Sequence, residues 1–359
     1  MPGAQGRAVK YSGRSIRLVQ ILVAVAVLVL LTWYLNRSHA EMVTVQSAFP
    51  GFVVIDPPEE VSALAIQGDI VWAGGVDGLF RIDRVTYDVL AQTPEEASFT
   101  YTRAILVDQL GRVWVGHDQG VSCLAGGRWQ TLSHKDGLPD NRVNALAEDP
   151  SGLIWAGTWG GAVQIAPSDD GLSALIIRTW THSDGLVSDM VNVILPDAWG
   201  GIWFGSYNSR GGISYLTSAG DWRYWTVANG LPHEYVTSIF QDMDMNVWVG
   251  TGLLSEGGAA IFQCEGDAWT LVRTMTQDDG LAGEKVRSIF QSQDGRMWLG
   301  SEYDGVAIFG PSGLVTTLDR TTGLSDNEVK VMVQDKDGQI WLGTRYGITV
   351  ITDGLSVLD

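Results

Sequence analysis

Five segments in the single register Gly-Leu-x4-Val-x11-Trp-x-Gly, two looser copies ahead of them, and no helical spacing of apolar residues beyond residue 60 predict an all-β protein: a seven-bladed β-propeller preceded by one N-terminal transmembrane helix. The in-register copies are anchored at Gly137/Val143/Trp155, Gly185/Val191/Trp203, Gly230/Val236/Trp248, Gly280/Val286/Trp298 and Gly323/Val329/Trp341. Trp72-Ala73-Gly74 and Trp114-Val115-Gly116 mark the looser ones. The seven anchors lie 41 to 50 residues apart, the period of a unit built from four short strands. Fifteen tryptophans and 44 glycines in 359 residues suit a repeat with one or two Trp per unit better than a globular enzyme.

The last unit shows how each element arises. Residues 329–334 are a β-branched-rich run, the first strand. Asp335-Lys336-Asp337-Gly338 has turn chemistry, with Gly supplying a positive φ. Residues 339–344 form the second strand and 347–351 the third. A fourth strand carries aromatics, as in Arg128-Trp129-Gln130 or Arg223-Tyr224-Trp225. One such sheet cannot cover both of its faces. Stacked radially, the sheets cover each other, with all seven repeat tryptophans, Trp248 and Trp298 included, expected to be buried between blades to a comparable degree. Residues 43–56 also have strand character and either complete the last blade or serve as a spacer.

Ahead of the repeat, residues 18–35 are apolar apart from Gln20 and Thr32 and carry no charge. At about 1.5 Å rise per residue such a helix nearly spans a ~30 Å hydrocarbon core, and Trp33 and Tyr34 suit its interface. Four basic residues precede the run and one follows, so the positive-inside rule places the N-terminus in the cytoplasm and the rest outside. The expected order is a short cytoplasmic tail (1–15), a signal-anchor helix (16–36), a linker or closing strand (37–60) and the propeller (61–359). A cleaved signal peptide cut after Ser38-His39-Ala40 is the competing reading; the long apolar run and the nearby Arg37 argue against it.

Residues 1–40 hold five basic side chains and no acids, leaving 18 basic against 41 acidic residues in the remainder, a net of −23. Such a body repels phosphate and sulfate, which argues against nucleic acid, anionic lipid surfaces and heparin-like polymers as partners. Cys123 and Cys264 have no metal-ligand spacing and fall three blades apart, so they read as small buried hydrophobes.

The units resemble two-component regulator propeller repeats, whose hallmark is a Gly-Leu turn, a Val/Ile strand, a turn Gly and Ile-Trp-x-Gly-Thr. "GLPDNRVNALAEDPSGLIWAGT" from Gly137 and "GLSDNEVKVMVQDKDGQIWLGT" from Gly323 match that pattern almost throughout. The resemblance runs from about residue 60 onward. It implies the extracytoplasmic input domain of a sensor, often one that responds to oligosaccharides. Here the apolar run precedes the propeller and no kinase, receiver or DNA-binding segment is recognised. Signalling is therefore expected to need a partner protein.

Loops between blades and loops after the second strand are expected on one face around the central channel. The second set holds Trp159, Tyr207, Tyr303 and Tyr346 at equivalent positions, with Asn208, Arg210, Glu302 and Arg345 beside them. Aromatics mixed with polar groups suit stacking on a neutral oligosaccharide or capture of a peptide, in a non-catalytic module without cofactor. The same residues could simply pack the loops. Asp242-x-Asp244-x-Asn246 copies half of a calcium loop, but the Gly and the distal carboxylate are missing, and no metal is expected. His134 and His182 recur at a repeat position. The streptogramin lyases, another seven-bladed family, use His and Glu on a propeller face, and His233-Glu234 is the one pair here resembling theirs. An exported lyase or hydrolase and a docking scaffold for envelope proteins are the alternatives.

Overall fold

Seven antiparallel sheets follow one another along the chain, six of four strands and one of five, in a computed structural model that describes residues 44–46, 49–92, 99–168, 173–266 and 268–352. Each sheet is a blade, with strands A to D from the channel outward. Blade 3 is typical: Val143–Glu148, Ile154–Thr158, Gly161–Pro167 and Ala174–Trp180. The seven A strands touch in sequence and the last, Val329–Gln334, touches the first, Ala63–Gln67, so the ring is closed. Residues 16–36, where the membrane helix is expected, lie outside the described residues. Among the described residues no helix is long and apolar enough to cross a membrane.

Blade 7 takes its fourth strand from the other end of the chain. Phe52–Ile55 pairs antiparallel with Ile348–Ile351, and Thr44–Gln46 adds a fifth strand outside it. The ring is thereby fastened by pairing between residues about 300 positions apart in sequence, Val53 opposite Val350. Buried Arg84 of blade 1 adds ion pairs to Asp335 and Asp337 of blade 7 and to Asp69 of its own blade.

Every letter of the repeat has a physical reason. Strand D ends in a Ser/Thr-x-x-Asp/Asn turn, as in Ser133–Asp136 and Thr226–Asn229, whose caps bond each other's backbone. The next residue needs a positive φ (106° at Gly137, 124° at Gly323) and is glycine. The Leu that follows is buried in each of the five copies. The repeat Val packs onto the Gly of Trp-x-Gly in the preceding blade: a Cβ on Gly157 would stand 2.8 Å from Val191, and one on Gly343 2.7 Å from Val61 across the closing seam. The residue that opens the A–B turn accepts the indole N–H six positions on, at 2.8 Å for Asp108/Trp114 and Asp149/Trp155, and 3.1 Å for Ser292/Trp298. Asp242 belongs to this set. Its carboxylate takes the indole of Trp248 at 2.7 Å together with Asn246, so the half calcium loop is an ordinary strand turn of the repeat.

The repeat tryptophans are not equally covered. Trp72, Trp114, Trp155, Trp203, Trp298 and Trp341 are buried, but Trp248 is half-buried. This corrects the expectation of seven comparable sites. Aromatic rings lie against Trp155, Trp203 and Trp341, whereas Trp248 has no ring contact among the described residues. Cys123 in blade 2 is buried as expected, whereas Cys264 in blade 5 is only half-buried, and the two form no disulfide with each other. Burial pushes the Cys123 thiol up to about 12, which makes it inert.

Candidate functional site: the channel mouth

Strand A runs from one face of the ring to the other and strand B returns. The D-to-A crossovers and the B–C turns therefore share one face, and the A–B turns occupy the opposite one. On the first face, the residue following the repeat Val, or following its counterpart Thr102 in blade 2, stands at the start of each innermost strand. In blades 1 to 7 this residue is Ser62, Arg103, Asn144, Asn192, Thr237, Arg287 and Lys330. All seven line one recess of about 280 Å³, together with Tyr101, Trp159, Met190 and Tyr207. Residues about 270 apart in sequence thus converge on the channel mouth.

The recess has two unlike halves. In blades 3 to 5 its wall is neutral, and each side chain also ties its blade to the next. Asn144 donates to the Val191 carbonyl (3.3 Å), Asn192 to that of Val236 (3.0 Å), and Thr237 to that of Val286. In blades 6, 7 and 1 the wall is a chain of alternating charges. Tyr101 donates to Glu60 (2.6 Å), Lys330 joins Glu60 (2.8 Å) and Glu328 (3.3 Å), and Arg287 joins Glu328 (3.5 Å) and Glu302 (3.3 Å). Lys285 then joins Glu302 (2.6 Å) and donates to the Tyr207 hydroxyl (3.1 Å). A tyrosine stands at each end. Burial opposes the charge on Glu60, but the bonds from Lys330 and Tyr101 outweigh it and hold the carboxyl below its usual range. Burial, with the bond to Glu60, pushes the Tyr101 hydroxyl up.

Of the residues singled out in the sequence, Trp159 and Tyr207 border this recess. The Arg142 guanidinium lies 3.9 Å from the Trp159 ring centre and is held by Asp140, so one indole face is already occupied. Tyr207 is half-buried, edge-on to Tyr235. Glu302 joins the charge chain, and Asn208 donates to Ser188 (2.6 Å) to fix its loop. Tyr303 and Tyr346 are each 53% exposed on B–C turns outside the recess, and Arg345 lies over Tyr346. Arg210 is exposed at a positive φ of 101°. His233 does not face Glu234 as a pair: its Nδ1 accepts the Tyr235 backbone N–H at 3.1 Å and its ring lies against Tyr235. His134 and His182 are local caps, their Nδ1 atoms bonded to the Leu138 and Leu186 carbonyls.

Sequence reasoning missed the ring of seven. A signal was present, since the position after each repeat Val varies among Asn, Thr, Arg and Lys, as wall residues of a shared channel would, while the Val before it is constant and the residue two beyond it is apolar in all five copies. It also missed Val76 and Leu254, exposed at the B–C turns of blades 1 and 5.

Fold and mouth define a seven-bladed β-propeller with a polar, aromatic-flanked channel entrance. Four of its units match the two-component regulator propeller repeat: the model of that family matches residues 137–160, 230–252, 280–303 and 323–346. The in-register copy from Gly185 falls outside the matched segments. No curated protein sequence matches the chain. Among solved structures it is similar to the extracellular domain of the hybrid two-component system BT3049 from B. thetaiotaomicron, at 19% identity and a TM-score of 0.72, over 86% of this chain and 42% of that one. The chain thus spans about two fifths of that relative's length. Virginiamycin B lyase from Staphylococcus aureus aligns at 14% identity and a TM-score of 0.60, over 83% of this chain and 97% of the lyase. PorZ, a surface component of the type-IX secretion system of Porphyromonas gingivalis, aligns at 13% and 0.61, over 83% and 47%. At such identities the likeness is one of fold.

Proposed function

We propose that this chain is a non-catalytic, extracytoplasmic ligand-binding propeller of the sensor-input kind, tethered to the membrane by residues 16–36. The observation that carries the reading is the convergence of one side chain from every blade, with Trp159 and Tyr207, on a single recess at the channel mouth. The family of its repeats and its likeness to the extracellular domain of a hybrid two-component system support the same reading. The neutral half offers amide and hydroxyl groups beside aromatic faces, which suits a neutral oligosaccharide or a peptide.

Thermal-shift screening of oligosaccharides and peptides tests it, because a ligand selective for the folded state raises the melting temperature. For a ligand found in this way, Trp159→Ala and Tyr207→Ala are each expected to weaken binding by about 1–3 kcal/mol, read by calorimetry. Unchanged affinity in both variants would remove the mouth from consideration. Orientation has its own check: protease added to cells with an opened outer envelope should digest the propeller and leave residues 16–36 in the membrane. A protected propeller reverses the assignment.

The lyase reading has less behind it. Its His233 and Glu234 form no paired arrangement, and the lyase likeness stands at 13–14% identity. A scaffold role for envelope proteins would use the same face.

A further inference from the structure

The A–B turns, on the face opposite the channel mouth, are divided between apolar and acidic blades. The turns of blades 2 to 5 expose Leu110, Pro150, Trp199, Met243 and Met245, whereas those of blades 5, 6, 7 and 1 expose Asp244, Asp294, Asp337 and Asp69. Neighbouring turns are joined across blades. The Gln241 carboxamide accepts from Ala198 N–H (3.0 Å) and donates to the Met245 carbonyl (3.4 Å), so Trp199 and the two methionines stand on adjoining turns.

Folding gives no reason for these methionines. The fourth turn position needs a positive φ and is glycine in blades 2, 3, 4, 6 and 7 (Gly111, Gly152, Gly200, Gly295 and Gly338, φ 75–86°). Blade 5 alone places Met245 there, at φ 65°, a conformation that residues with a Cβ disfavour. Its side chain is 46% exposed and that of Met243 58%, so burial does not offset the strain. Between them Asp244 is exposed and makes no ion pair among the described residues. Backbone strain held at an exposed side chain is a mark of a functional position, and unbranched methionine adapts to varied apolar partners.

We infer that the Trp199–Met243–Asp244–Met245 patch docks a basic amphipathic segment of a partner protein, apolar side chains on the methionines and Trp199, a Lys or Arg on Asp244. Charge selects this occupant. Asp294, Asp337 and Asp69 on the neighbouring turns are held by Arg296, Arg84 and Lys336, whereas Asp244 in the patch has no ion pair among the described residues. Residues 41–359 also carry a net charge of −23, so an anionic lipid surface is repelled and a cationic segment is drawn in. Docking here would leave the channel mouth free, which makes the patch independent of the ligand reading above.

Fluorescence anisotropy of a labelled Leu/Lys amphipathic helical peptide, titrated with the full chain at physiological salt, tests the inference. Controls are a scrambled isomer without an apolar face and neutral phosphatidylcholine vesicles. The amphipathic peptide should bind at least ten-fold more tightly than its isomer, and Met243→Ser/Met245→Gly or Asp244→Asn should each cost three-fold or more. Met245→Gly should also raise the thermal midpoint by relieving the turn. Equal binding of both peptides would show bulk charge attraction only and overturn the proposal. So would affinity unchanged by the variants, stronger binding to the vesicles, or a midpoint lowered by Met245→Gly.

Discussion

Trp203→Ala is expected to destabilise the propeller by about 3–5 kcal/mol, measured by denaturant unfolding. Its indole is fully buried and sits among Tyr215, Trp225, Phe262 and Trp269, with ring centres 4.7–5.4 Å away. Phe262 and Trp269 belong to the next blade, so removing the indole opens a cavity in the seam itself. The loss also leaves the buried Asp197 carboxylate without its indole donor at 3.1 Å. Trp248→Ala in the next blade is the matched control: half-buried and free of ring contacts among the described residues, it should cost clearly less. Equal losses at the two sites would mean that the aromatic seam adds nothing beyond the repeat's own geometry.

Acid should destabilise the fold well above the carboxylate range, through His117. This histidine occupies the end of strand B in blade 2, where other blades have Thr158, Ser206, Thr251, Ser301 and Thr344. In blades 3, 4, 5 and 7 that hydroxyl closes the B–C turn on a carbonyl, as Thr158 does on Gly161 (2.8 Å) and Thr344 on Gly347 (3.0 Å). His117 does the same work with its ring. Nδ1 accepts from Gln119 N–H (3.2 Å), which leaves Nε2–H to donate to Ser122 (2.8 Å), and Phe99 covers the imidazole edge-on.

That arrangement holds the neutral form, and burial pushes the His117 pKa down from 6.5 to about 4. The unfolded chain therefore binds a proton that the folded chain refuses between those two values. Stability from this group is full above about pH 6.5, falls as the pH drops, and is lost by about pH 4, amounting to roughly 3 kcal/mol. Denaturant midpoints taken from pH 7 to pH 4 should show the slope, and His117→Thr, the residue of three other blades, should flatten it. A slope unchanged in that variant would assign the acid sensitivity to other groups.

What residues 60 onward determined by themselves was the blade. A motif recurring five times in one register carries its own reasons within about 20 residues: the capped turn, the positive-φ glycine, the buried Leu, the turn acid beneath the indole. These are local rules, and local rules are legible in a linear string. The strand character of residues 43–56 was legible too, but not its place. Only pairing of Phe52–Ile55 with Ile348–Ile351 put it in blade 7, because sheet partners are chosen by register and not by nearness in sequence.

Trp159, Tyr207 and Glu302 were legible at the mouth, but its ring of seven was assembled by tertiary structure. Ser62, Arg103, Asn144, Asn192, Thr237, Arg287 and Lys330 differ in chemistry and meet only because ring closure brings one residue per blade to the channel. The charge chain from Tyr101 to Tyr207 alternates three carboxylates with three cations drawn from blades 6 and 7 and from the seam before blade 1, a pattern no single repeat contains. Overall acidity argued only against anionic partners; it did not place the cations at the mouth, which gather there because a buried polar wall must pair its charges wherever the blades bring them together.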